Sequence, residues 1–169
     1  MCARGWSLVE LTLVIVILGT LGIFIGPLLL SAVTAYDKTQ TSVATLAKQR
    51  YAIERMVREI RDIRRTPADT ATFDISSLAG TNFTFFKADG TEVALALSGS
   101  TVTLGYTGVA TSTLTDQVGG FSLVYYLQDG TTTTGVTAAN VAFVEVNLTL
   151  VEGAGSFASR TRVNLRNPQ

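Results

Sequence analysis

Polar and apolar positions along the 169-residue chain fall into three successive patterns. From Leu11 to Tyr36 there is no charged residue, and the run opens Leu11-Thr12-Leu13-Val14-Ile15-Val16-Ile17-Leu18. About 20 apolar residues make a helix long enough to cross the hydrocarbon core of a bilayer, so a membrane-spanning helix is expected over 6–33. Next, Val43, Leu46, Ile53, Met56/Val57, Ile60 and Ile63 recur at three- and four-residue steps. That spacing marks one apolar stripe on an amphipathic helix, expected over 34–66 with Pro67 as its stop. Glu54–Arg58, Arg55–Glu59 and Arg58–Asp62 stand four residues apart and are expected as ion pairs on its solvated face. Inside the first helix, Pro27 removes a backbone donor and crowds the preceding turn. Gly19, Gly22 and Gly26 lower helical preference around it, so a kink or melted stretch is expected between about Gly22 and Pro27.

After Pro67 the period changes to two, with threonine, valine and phenylalanine enriched and glycine turns between runs, the mark of antiparallel strands. Strands are expected at 82–87 and 91–97, joined by an Asp89-Gly90 hairpin turn, and at 101–106, 121–128, 141–151 and 159–165. Along 141–151, Ala142, Val144, Val146, Leu148 and Leu150 face one way while Glu145, Asn147 and Thr149 face the other, the alternation of a half-buried strand. The expected class is α+β: a long N-terminal helix, its second part covering the apolar face of an antiparallel sheet formed by 67–169.

Charge and composition narrow the chemistry. There is no histidine, and the single cysteine is Cys2. The usual nucleophile–base arrangements therefore lack their parts, and no intramolecular disulfide can form. No Gly-rich phosphate loop or D-x-D-x-D-G calcium loop occurs. Neither a catalytic set nor a cofactor or metal site is read from the sequence, and the chain is not expected to be an enzyme. Between Tyr36 and Thr66 there are eight basic and four acidic residues; from Pro67 onward there are four and eight. The arginine-rich run from Arg55 to Arg65 is interrupted by Glu59 and Asp62 and lacks the interleaved aromatics of a single-strand binder. A solvated helix face contacting acidic surfaces is expected there rather than nucleic acid.

The N-terminal run carries one carboxylate, Glu10. A secretory signal with cleavage near Val33-Thr34-Ala35 would have a shorter apolar region, typically about 7–15 residues, and a plain anchor gives no reason for Glu10. In order, the chain reads Arg4-Gly5-Trp6-Ser7-Leu8-Val9-Glu10-Leu11-Thr12-Leu13-Val14, with Gly19 and Pro27 farther along. This closely resembles the processing site of type IV prepilins and type II secretion pseudopilins. The resemblance covers residues 4 to about 30. Trp6 departs from the family's usual phenylalanine, but both are large and apolar.

The resemblance implies a leader of residues 1–5, peptidase cleavage between Gly5 and Trp6 on the cytoplasmic face, and methylation of the new amine. It also implies an inner-membrane, single-pass chain with its head outside the cytoplasm, followed by incorporation into a filament. The positive charges beyond the span would by themselves favour the opposite orientation, but large domains translocate largely regardless of charge. Partners implied are other pilin or pseudopilin subunits, the prepilin peptidase and methylase, an inner-membrane assembly platform and membrane lipid. A looser similarity of 51–61 and 163–167 points to minor subunits, of the J-type pseudopilin or minor-pilin W kind. Independently of the family, a carboxylate entering an apolar layer costs on the order of 2–3 kcal/mol and needs a partner. No basic residue lies within one turn of Glu10 once Arg4 is removed, so a neighbour's free amine at Trp6 is the expected partner, fixing the axial register of assembly. Two alternatives remain open at this level: a membrane-anchored β-domain that binds a ligand without polymerising, and a competence-type minor pilin that captures DNA.

Overall fold

The computed structural model describes residues 7–165 and divides into two compact units, one running through Thr41 and the other beginning at Ser42. The fold is α+β, with one helix followed by ten strands among the described residues.

The first unit consists of the opening part of helix α1 (Leu8–Arg61). The helix passes through Gly19, Gly22, Gly26 and Pro27 without interruption, so no melted stretch forms there. A proline deletes one donor, whereas each helical residue beyond it adds its own bond, so propagation continues past the gap. Three threonine hydroxyls within the apolar run are satisfied by the helix itself: Thr12, Thr20 and Thr34 donate to the carbonyls of Val9, Ile17 and Ser31 at 2.9–3.0 Å. The large apolar side chains from Leu8 to Val33 are exposed. This segment is long and apolar enough to cross a membrane, and none of its most apolar window is buried.

In the second unit, α1 ends at Arg61 rather than near Thr66. The amides of Asp62 and Ile63 tighten onto the carbonyls of Glu59 and Ile60, and Arg64 then donates to Phe86 O at 2.9 Å. Thr66 sits in the short strand β1 (Arg65–Thr66), consistent with the extended backbone imposed on a residue that precedes proline. β1 pairs with β2 (Asp69–Phe73). A five-stranded sheet follows in chain order: β3 (Ile75–Leu78), β4 (Asn82–Phe86), β5 (Glu92–Ser98), β6 (Thr101–Tyr106) and β7 (Val109–Thr115). β8 (Val118–Tyr126), β9 (Phe143–Glu152) and β10 (Gly155–Asn164) form a third sheet with β9 in the middle. All pairings are antiparallel.

The Asp89-Gly90 turn joins β4 to β5. Gly90 has φ 84°, and Thr91 N–H donates to the Asp89 carboxylate at 2.8 Å. The core gathers Ala52, Ile53, Met56 and Ile60 of α1 with Phe83 and Phe85 of β4, Leu95 of β5 and the inward residues of β9. The helix thus covers the apolar faces of the sheets, and Ile53, Met56, Ile60 and Ile63 of the expected stripe are buried, but the stripe fails at its N-terminal end. Val43 and Leu46 are exposed, while Thr45 and Gln49 are buried. Gln49 is accommodated because its side-chain amide donates to Leu148 O at 2.9 Å and Phe157 O at 2.7 Å, and a buried polar group with partners is tolerated. Of the three expected helix ion pairs, Arg55–Glu59 forms at 3.0 Å. Glu54 pairs instead with Arg50 at 2.8 Å, and Asp62 with Lys87 at 3.3 Å.

Candidate functional site

Glu10 lies in the first turn of α1 with an exposed side chain. Its backbone N–H approaches Ser7 Oγ at 3.3 Å and Ser7 O at 3.1 Å. Ser7 is therefore the N-cap and Glu10 the third helical residue, the S-x-x-E spacing of a capping box. A carboxylate in this turn also meets the positive end of the helix dipole. The geometry gives Glu10 a local role at the helix start, and the Ser7-x-x-Glu10 spacing carries the signal for it in the sequence. Among the described residues no basic side chain pairs with the Glu10 carboxylate, so any cation it meets comes from outside them.

Gly5 and Trp6, the expected processing positions, lie outside the described residues. Gly19 and Pro27 are interior to the same helix as Glu10. A methyl group added at Gly19 would meet nothing within 4 Å, so no contact within the first unit requires glycine there. These positions share one helix and do not converge on a cavity.

The head contains two buried-carboxylate clusters that sequence reasoning passed over. In one, Glu59 of α1 is 3% exposed. It accepts from Tyr106 OH at 2.9 Å, pairs with Arg55 at 3.0 Å, and has Lys87 Nζ at 3.3 Å. Burial alone would lower the Lys87 ammonium, but its contacts with Asp62 and Glu59 outweigh that and raise it.

In the other cluster, Glu145 of β9 is 4% exposed although it points away from the apolar face. Its Oε2 accepts from Arg160 at 2.7 Å, Arg162 at 3.1 Å and Tyr126 OH at 3.2 Å, while Oε1 accepts from Asn147 at 3.3 Å. Burial pushes the Glu145 carboxyl upward, but these hydrogen bonds prevail and hold it below the ordinary range. Arg162 also stacks 4.0 Å from the Tyr126 ring centroid and donates to Gly130 O. The register explains the cluster: Arg160 lies opposite Asn147 and Arg162 opposite Glu145, so the polar faces of β9 and β10 coincide.

Several other head carboxylates have separate local partners. Asp74 pairs with Arg64 at 2.8 Å, Asp116 with Lys48 at 2.9 Å, and Glu152 with Gln117. Asp129 accepts from the Thr131 and Thr132 amides and the Thr132 hydroxyl, which together hold it down at about 2. Among the described residues, no three histidine, cysteine or acidic side chains form a group that could hold a metal ion.

Compared with protein-family models the chain matches none, and no curated protein matches it.

Proposed function

We propose that the chain is a structural subunit of the pilin or pseudopilin type, a minor one. In this reading it is held in the inner membrane by the apolar part of α1, with its N-terminus cytoplasmic and its head outside. Cleavage between Gly5 and Trp6 frees an amine, and an assembly platform then draws the subunit into a filament whose apolar helices pack side by side. One observation carries the reading: an unburied apolar helix segment that holds a single carboxylate, Glu10, with no cationic partner among the described residues. An apolar surface of this extent needs lipid or other helices around it. A carboxylate at its margin needs a cation from a neighbour, and pairing in low dielectric favours one axial register.

The Ser7 cap sharpens the test. Glu10→Val is expected to insert into the membrane normally and to be incorporated into filaments poorly. Ser7→Ala, which removes the cap and keeps the carboxylate, is expected to be incorporated normally. Unchanged incorporation of Glu10→Val removes Glu10 from the mechanism. An equal loss in both variants assigns the effect to the helix terminus instead of docking.

A further inference from the structure

The last turns of α1 and residue Lys87, just beyond β4, enclose a cleft of about 410 Å³ lined by Arg55, Arg58, Glu59, Arg61, Asp62 and Lys87. Four cations face two carboxylates, a net charge of +2. Glu59 organises the site from beneath: it is buried, bonded to Tyr106 and Arg55, and its Oε2 has no aligned hydrogen bond. Lys87 stands 3.3 Å from both Glu59 Oε2 and Asp62 Oδ2. An ammonium has three N–H donors, and two carboxylate neighbours leave one of the Lys87 donors for a further acceptor. Arg58 and Arg61 are exposed and reach no carboxylate among the described residues. A last-turn position suits them to the negative end of the helix, and Lys87, just beyond β4, is drawn to the same place by Glu59 and Asp62.

We propose that this cleft binds a carboxylate side chain on an acidic protein segment, with Arg58, Arg61 and Lys87 as donors and Glu59 holding Arg55 and Lys87 in place. One feature favours a carboxylate over a nucleic acid strand: no aromatic side chain lines the cleft to stack a base. The inference does not depend on filament assembly, since it concerns the head alone.

The test is a binding titration with the full-length chain in non-ionic detergent, using a labelled short polyglutamate peptide, with polyglutamine and a single-stranded oligonucleotide of equal charge as comparison probes. Saturable polyglutamate binding that weakens with added salt is expected. Arg58→Ser combined with Arg61→Ser should weaken it at least about tenfold with an unchanged far-UV spectrum. Arg50→Ser, which removes an exposed cation outside the cleft, should leave the affinity as it is. Absence of saturable polyglutamate binding, an equal loss in Arg50→Ser, or tighter binding of the oligonucleotide would overturn the proposal.

Discussion

Replacing Glu145 by glutamine keeps the shape of the side chain while deleting the charge on which Arg160, Arg162 and Tyr126 converge. The effect can be sized from exposure. The Arg160 side chain is 65% exposed, so its pair belongs with surface ion pairs of about 0–1 kcal/mol. Arg162 is 37% exposed and more sheltered. A hydrogen bond to a charged group in such a setting contributes about 1.5–3 kcal/mol. Arg162 keeps Gly130 O and the Tyr126 ring after the change, which favours the low end. The sum is about 2 kcal/mol, less than the roughly 3–5 kcal/mol lost when the remaining charge is sealed from water, because both arginines stay solvated.

The pH dependence has a definite sign. The native Glu145 carboxyl is held below its ordinary value despite burial. Its stabilisation is therefore complete above the unfolded value of about 4.3 and is lost as pH falls through the lower native value. Urea unfolding of the full-length chain in non-ionic detergent, followed by circular dichroism, should show the two proteins separated by about 2 kcal/mol near neutral pH and converging below about pH 4. A gap under about 0.5 kcal/mol at neutral pH, or one that stays constant down to about pH 3, would refute the network's role.

Three further substitutions examine which helix positions face the core. Met56→Ala, at a fully buried position in the core, should destabilise by about 2–5 kcal/mol. Leu46→Ala should change stability by less than about 0.5 kcal/mol, because Leu46 faces outward; a larger loss in the same urea titration would restore the phase read from the sequence. Gln49→Leu should cost about 1–2 kcal/mol from the lost bonds to Leu148 O and Phe157 O; an unchanged unfolding midpoint would show those contacts to be dispensable.

Much of the fold was legible where one face of an element is buried. β6 falls at the expected residues, and β4, β5 and β9 fall within a residue or two of expectation, because alternation records burial directly. β7 went unread because its first five residues are exposed, leaving a threonine-rich edge without a buried face. The apolar stripe misled at its N-terminal end because Thr45 and Gln49 occupy core positions, and Gln49 is satisfied there by sheet carbonyls that no local pattern reveals. Apart from Arg55, four residues before Glu59, and Asn147, two after Glu145, the partners in the two buried-carboxylate clusters lie 15 to 47 residues away, beyond the reach of spacing arguments. Glu10, by contrast, was conspicuous as a carboxylate among apolar residues. Its place three residues after a capping serine is equally legible, as the Ser7-x-x-Glu10 spacing of a capping box.

The proposed function turns on whether the chain is cut between Gly5 and Trp6. Intact-mass measurement of the protein purified from a host with an active prepilin peptidase tests this directly. The account predicts a species beginning at Trp6 and carrying one added methyl group. A protein that keeps residues 1–5 in that host would contradict it.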